Sequence, residues 1–330
     1  MKHKRFLLFL LLLACFPLLS GCVTQGMNPL SKVEATPVPG LSMQLHAASA
    51  SNANVDPFVA SLYYRFLDQP MLTAETRMLT VSRDESAEFA IVKALLEGPS
   101  AGHGDLQRLF PDNVLVESAI PRNNVLFITF SESLLTGDGI PDNWASQPEW
   151  ASEAPLRRRL MIQSVVASIT ESFPYTGVQI LINHEDQTKT SLRLENEYFL
   201  DGREGLSDPQ LRNEALLLTP KNTAEHLLKS WQSGDIETFY SFFTNLDNGN
   251  PKPSYQQMAT ELDGLPTLSS FAIQGGGSVS ADGQNAVLTV DFTLLRNGES
   301  SLISGYPLLL TRENDVWKIH YSDLLRSVMP

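Results

Sequence analysis

The sequence predicts an α+β fold, built as two successive domains behind an N-terminal leader and stalk. Three observations predict it. Residues 58–200 mix short apolar strands with two amphipathic helical stretches. Residues 219–330 put helical segments first and strands last, an order that packs helices on one antiparallel sheet. The joining stretch, 201–218, is turn chemistry: Asp201-Gly202-Arg203-Glu204-Gly205, then Ser207-Asp208-Pro209.

The leader is residues 1–21. Lys2, Lys4 and Arg5 make it basic, and Phe6 to Leu19 is apolar apart from Pro17. Fourteen residues rise about 21 Å as a helix, short of the ~30 Å hydrocarbon core, which suits a signal peptide better than a permanent span. Leu19-Ser20-Gly21-Cys22 then resembles the lipobox of bacterial lipoproteins. That resemblance implies cleavage before Cys22 and lipid on Cys22, with the rest of the chain extracytoplasmic and anchored to the cell membrane. The only cysteines are Cys15 and Cys22, so a mature chain has neither a disulfide nor a thiolate metal site. Loss of Lys2, Lys4 and Arg5 leaves 21 basic residues against 37 acidic ones, a net charge of −16 in place of −13. Such a surface repels nucleic acid and anionic headgroups, so no nucleic-acid partner is expected. Residues 22–57 are rich in Ser, Ala, Asn, Thr and Pro and read as a flexible stalk reaching about 30–35 Å.

In the first domain, Phe58–Phe66 and Met78–Val81 read as strands. A helix runs from Ser86 to Gly98-Pro99, with Phe89, Val92, Leu95 and Leu96 on one face. Val114–Ile120 and Val125–Phe130 form a hairpin turned at Pro121-Arg122-Asn123-Asn124. After an insertion, Thr136–Pro155, a second helix spans Leu156–Phe173, and Val178–Ile182 is a strand. Val178–Ile182 is read as the edge strand open to a partner. The helix closing on Ala94-Leu95-Leu96-Glu97-Gly98-Pro99, the hairpin ending in Phe130-Ser131-Glu132-Ser133-Leu134, and Ser168–Phe173 leading to Val178 resemble the GerMN domain. The resemblance covers 58–200. It implies an envelope-associated domain of sporulation, germination and cell-surface lipoproteins, similar to ring-building motifs, with no catalytic residue.

In the second domain, Thr219-Pro220 reads as N-cap and first helical residue, with Ala224, Leu227, Leu228 and Trp231 on one face. Gly234-Asp235 breaks the helix, Ile236–Phe243 continues, and Tyr255–Leu262 is a third helix. Strands follow at 269–275, 286–295, 302–311 and 316–321, with turns at Asp282-Gly283, Asn297-Gly298 and Glu313-Asn314-Asp315. Gly275-Gly276-Gly277 reads as a bulge. Ala224–Asp235 and Trp317-Lys318-Ile319 resemble the NTF2-like superfamily, which implies a cone-shaped α+β fold that encloses a pocket in some members.

Chemistry is sparse. An isomerase of that superfamily needs a carboxylate base and a proton donor inside the cone. Asp291 alternates with apolar neighbours and is read as facing outward, while Glu261, Asp263 and His320 are read as surface or structural. The Asp138 loop resembles half a calcium loop, but its first and last positions, Leu134 and Ala145, carry no ligand. His184-Glu185-Asp186 lacks further converging ligands. No metal, cofactor or catalytic residue is therefore expected. The candidate partner-binding residues are Arg157 and Arg158, in a basic run on an acidic chain, and Trp144 and Trp150 in the polar insertion. The expected role is a non-catalytic assembly or binding component of the cell envelope, with an envelope protein or a second copy as partner. The alternatives are a ligand-binding or an enzymatic NTF2-like module, with the ligand unknown.

Overall fold

The computed structural model describes residues 57–136, 138–184, 190–247 and 249–328, all within the unit Pro39–Pro330. The expected signal peptide, the lipidated Cys22 and the stalk to residue 56 lie outside the described residues.

The first half contains two sheets. Strand β1 (Phe58–Phe66) pairs antiparallel with β2 (Leu72–Leu79), from Phe58 opposite Leu79 to Arg65 opposite Leu72, and the short β3 (Leu106–Gln107) joins the far end of β1. Strand β2 starts six residues before the expected Met78. Its early part reads polar because Glu75 is buried there: Arg77 donates two 2.7 Å hydrogen bonds to its carboxylate, and the Ser100 N–H donates a third at 3.0 Å. Helix α1 (Ala87–Glu97) begins where the Ser86 side chain accepts the Phe89 N–H, and ends at Gly98 with φ 95°. It buries Ile91, Val92, Leu95 and Leu96, each worth about 1.5–3 kcal/mol of hydrophobic burial.

The second sheet has the order β4-β5-β6-β7 (Val116–Arg122, Val125–Ser131, Gly177–Asn183, Ser191–Arg193). The hairpin turn falls at Asn123-Asn124 as expected, with Asn123 at φ 54°. Strands β5 and β6 are parallel, so the chain between them must cross over, and helix α2 (Pro148–Ser172) provides the crossover. This helix starts eight residues before the expected Leu156. Pro155, expected as the last residue of the insertion, sits inside the helix, at a cost of about 3 kcal/mol in an exposed setting. Tertiary contacts offset that cost: Ala154 is fully buried, and Glu153 pairs with Arg65 of β1. About four turns further on, the Ser168 hydroxyl accepts the Tyr63 N–H at 2.9 Å, which ties the helix to β1.

The second half opens with α3 (Pro220–Ser233), capped by Thr219 and stopped by left-handed Gly234 at φ 73°. Helix α4 (Ile236–Ser241), a two-strand ribbon β8-β9 (Leu246–Asp247, Asn250–Pro251) and α5 (Tyr255–Leu262) follow. Ser254 and Gln257 form a reciprocal capping box at the start of α5. The sheet β10-β11-β12-β13 (Thr267–Val279, Asn285–Arg296, Glu299–Glu313, Val316–Lys318) is antiparallel throughout. Register shifts interrupt its ladders at Leu268/Ser270, Gln274/Ser278 and Val290/Phe292, and such bulges bend a sheet. The glycine run marks the second of them, as expected. A Cβ on Gly277, at φ 69°, would meet Leu288 Cδ2 at 2.4 Å and the Val287 carbonyl at 2.7 Å. The last strand stops at Lys318, and a helix the sequence reading missed, α6 (Tyr321–Val328), buries Tyr321 and Leu324.

The fold is α+β throughout, but the apolar interior does not divide at the joining stretch. One continuous core runs from Phe58 to Leu324, and the Phe66 and Phe242 rings meet across the halves at 5.5 Å. Residues 201–218 are bonded along their length. Gln210 exchanges two backbone hydrogen bonds with Val178, and Leu206 bridges Glu195. The Leu218 N–H donates to Leu72 at 2.8 Å. Arg212 lies over the Tyr63 ring at 5.3 Å and pairs with Glu171 at 2.8 Å.

Candidate functional site

In the interior of the second half, aromatic side chains pack against one another. Trp231 contacts Phe239 at 6.0 Å and Phe292 at 6.3 Å. Phe243 meets Phe239 at 5.0 Å and Tyr321 at 5.3 Å, both edge to face. Tyr306 closes on Phe292 at 5.5 Å, and Met258 is fully buried. Edge-to-face and tilted pairs of this kind pack favourably beyond their area.

The polar residues considered for chemistry are engaged elsewhere. Asp291 lies on the outer face of the sheet. It accepts hydrogen bonds from Gly305 N–H at 2.7 Å, Ser304 at 2.8 Å and Gln274, which hold its carboxyl below the usual range. It therefore clamps the β11–β12 bulge. Glu261 accepts the Tyr321 hydroxyl at 2.7 Å, and the Tyr321 phenol is pushed well up by burial and then by that carboxylate. His320 is bonded to Thr244 at 3.0 Å. Asp138 accepts Ile140 N–H at 3.1 Å and Arg158 at 2.8 Å, so its loop is a turn closed by an ion pair. Among the described residues, no group of three or more His, Cys, Asp or Glu could hold a metal ion.

The four candidate partner-binding residues separate. Arg158 turns inward: besides Asp138, it donates to the Tyr198 carbonyl at 3.0 Å and lies over the Tyr198 ring at 4.9 Å. Its side chain is only 15% exposed, which makes it part of the fold rather than a contact patch. Arg159 reaches Asp201 at 3.6 Å. Arg157 is half-buried and forms no ion pair among the described residues. Trp144, in a 3₁₀ turn (Trp144–Ser146), and Trp150, in the first turn of α2, are half-buried and close in sequence. The helix places Trp150, Glu153 and Arg157 at successive positions of one face. The expected edge strand is corrected as well. β6 lies between β5 and β7, and Gln210 covers Val178. The sheet's outer strands are β4, where Pro121 removes a donor, and the short β7.

Sequence reasoning missed the seam between the halves. The β12–β13 turn, with Asn314 at φ 49° and Asp315 at φ 65°, reaches the first half. There Asp315 accepts Thr76 N–H at 3.2 Å and is bonded to His103 Nε2 at 3.1 Å. The other ring nitrogen of His103 is bonded to Ser100 at 2.8 Å. Beside it, Lys318 pairs with Asp105 at 2.6 Å and Glu313 at 3.2 Å. Each of these residues reads as an ordinary turn or strand residue, and only the tertiary fold brings them together. An open groove of about 500 Å³ lies along the same junction, between Gln69-Pro70 and the α3 residues His226, Lys229 and Ser233. Burial and then Lys229 depress the His226 pKa, whereas Lys229 itself is held by Glu225 at 2.8 Å. No described helix is long and apolar enough to cross a membrane.

Comparison with known proteins finds a family model that matches part of the first half. The Germane model, described as sporulation and spore germination, matches residues 61–188. No curated protein matches the chain. Among solved structures, the chain is similar to the tandem GerMN domains of the sporulation protein GerM from Bacillus subtilis. That match has 15% identity and a TM-score of 0.31, over 49% of this chain and 50% of that one. The chain thus spans half the length of that tandem structure. It is also similar to an NTF2-like protein of unknown function in nutrient uptake from Rhodospirillum rubrum, at 18% identity and a TM-score of 0.24, over 31% of this chain and 92% of that one.

Proposed function

We propose that this chain is a non-catalytic assembly or binding component of the cell envelope, held to the membrane by lipid on Cys22 and acting in sporulation or germination. The Germane match over 61–188 links it to that class of process. The observation that supports the non-catalytic reading is that the polar residues considered for chemistry, Asp291, Glu261 and His320, are bound into the fold, while aromatic side chains pack against one another in the interior of the second half. Function then resides on the surface. The contact face is the start of α2, where Trp144 and Trp150 offer ring area and Arg157 an uncommitted cation. Its partner is an envelope protein or a second copy, and an acidic patch on that partner would complement Arg157.

Crosslinking pull-down from intact cells tests this reading. Arg157→Glu and Trp150→Ala should each reduce capture while the melting temperature stays within a few degrees of wild type. Capture unchanged in both variants would remove this face from the interface. Cys22→Ala should release the chain from the membrane fraction, and a lipid-labelled, membrane-retained mutant would overturn the anchor.

A further inference from the structure

Ser100, His103 and Asp315 form a hydrogen-bonded line across the seam. Ser100 Oγ lies 2.8 Å from His103 Nδ1, and His103 Nε2 lies 3.1 Å from Asp315 Oδ2. An ionised carboxylate only accepts, so Nε2 carries the hydrogen of that bond. In the neutral ring Nδ1 is then the acceptor, and the Ser100 hydroxyl donates to it. Backbone bonds hold this order in place. The Ser100 N–H donates to Glu75 at 3.0 Å, and the His103 N–H donates to the Ser100 carbonyl at 3.0 Å. Asp315 sits with Asn314 in a two-residue hairpin turn, both at positive φ, and accepts the Thr76 N–H and hydroxyl at 3.2 and 3.3 Å. Two further charges lie nearby. Glu75 Oε1 is 4.0 Å from Nδ1 but is held by Arg77, and Arg312 is 3.7 Å from Asp315. Exposure grades along the line: the His103 and Asp315 side chains are 16% and 23% exposed, whereas Ser100 is open to solvent.

We propose that Ser100 is an activated nucleophile that accepts an acyl or phosphoryl group from a small activated ester, with His103 as its base and Asp315 positioning that base. A serine hydroxyl is a weak nucleophile until an adjacent base takes its proton. A carboxylate on the far ring nitrogen fixes the tautomer and stabilises the imidazolium that forms. The arrangement here follows that logic with Nδ1, rather than Nε2, facing the hydroxyl. His320 is bonded in a similar way to Thr244, but Thr244 is buried and its hydroxyl is also given to the Leu246 carbonyl. The Ser100 N–H is committed to Glu75, so Ser100 cannot itself offer the oxyanion donor that unreactive esters and amides need. The reaction is therefore acylation of one residue by a reactive ester, separate from the contact face at the start of α2.

With a fluorophosphate the steps balance without an oxidant or reductant. Ser100 Oγ attacks phosphorus and forms a P–O bond. The P–F bond breaks, and fluoride leaves with the electron pair. The hydroxyl proton passes to His103 Nδ1 and then to water.

The experiment treats the full folded chain with diisopropyl fluorophosphate near neutral pH and follows each serine by peptide mass spectrometry. Ser300 and Ser301, exposed on β12, are the internal reference. Ser100 should label faster than that pair by at least about tenfold, below the ~10²–10⁴ a positioned base can contribute. The excess should vanish in the urea-unfolded chain, which needs no variant. Equal rates in the folded chain, or an excess that survives unfolding, overturn the proposal. His103→Ala should remove the excess while its urea midpoint shows the chain folded, and a folded variant that keeps the excess also overturns it. Asp315→Asn should slow Ser100 labelling in the parent chain and change nothing further in His103→Ala, because Asp315 acts through the ring. A further loss in that double variant would make Asp315 a structural residue only and overturn its positioning role.

Discussion

Asp105→Asn tests the seam that joins the two halves. Asp105 lies in the loop before β3, and Lys318 is on β13, so their 2.6 Å ion pair connects the first half to the last strand. The Lys318 side chain is 2% exposed, whereas Asp105 is 32% exposed. Breaking a fully buried pair costs about 3–5 kcal/mol, because the remaining charge is stranded. Here Glu313 stays 3.2 Å from Lys318 and still compensates part of that charge, and water reaches Asp105. The expected loss is therefore about 1.5–3 kcal/mol, the range for a hydrogen bond to a charged group. Urea unfolding followed by tryptophan fluorescence measures it, since Trp144 and Trp150 report on the first half and Trp231 and Trp317 on the second. The midpoint should fall with the slope unchanged. Lys318→Met, which removes the buried charge with little change in volume, should cost less. In the double variant the two losses should not add, because Asp105→Asn leaves no stranded ammonium when Lys318 is gone. A loss under about 0.5 kcal/mol for Asp105→Asn, or full additivity in the double variant, would refute this account of the seam.

Three further outcomes are expected. Arg158→Met should lower stability by about 2–4 kcal/mol, because it strands the Asp138 carboxylate, whereas Arg157→Met should leave the urea midpoint nearly unchanged. Burial raises the Glu75 pKa, but the Arg77 and Ser100 hydrogen bonds outweigh it and leave the pKa depressed. Its contribution is then fully present above about pH 4.3, the unfolded value, and is lost as pH falls through the lower folded value. Glu75→Gln should be less stable than wild type near pH 7, and the gap should narrow in acid; a gap constant from pH 7 to pH 3 would contradict this. Gly277→Ala should destabilise through both its left-handed backbone and the contact with Leu288, and a melting temperature equal to wild type would show that the bulge relaxes freely.

Much of the fold was legible wherever local chemistry and final structure agree. Ser86, Thr219 and Ser254 cap helices whose apolar faces are buried, and Asn123, Asn297 and Gly283 occupy the turns their types favour. The errors fall where distant contacts override a local signal. The insertion was read as ending at Pro155, but Arg65–Glu153 and buried Ala154 hold the helix through it. The segment around Glu75 reads as polar and exposed, but Arg77 and Ser100 satisfy its carboxylate in the interior. The last strand was expected to run to residue 321, but it ends at Lys318 and helix α6 begins at Tyr321.

By itself the sequence determined the α+β class, the helices-then-sheet order of the second half, and the turn and cap positions. These follow from periodicity and backbone preferences that act over a few residues. It also carries the basic, then apolar, N-terminal stretch that precedes Cys22. Tertiary structure alone decided that Arg158 belongs to the fold while Arg157 stays uncommitted, although both read as one basic run. It also decided that Val178–Ile182 is an inner strand, that Trp231, Phe239, Phe243 and Tyr321 meet ring to ring, and that Asp105 and Asp315 bind partners more than 200 residues away. The reason is that burial and charge pairing depend on which surfaces meet in space. A sequence shows the charge on each residue but not the distance at which its partner will sit.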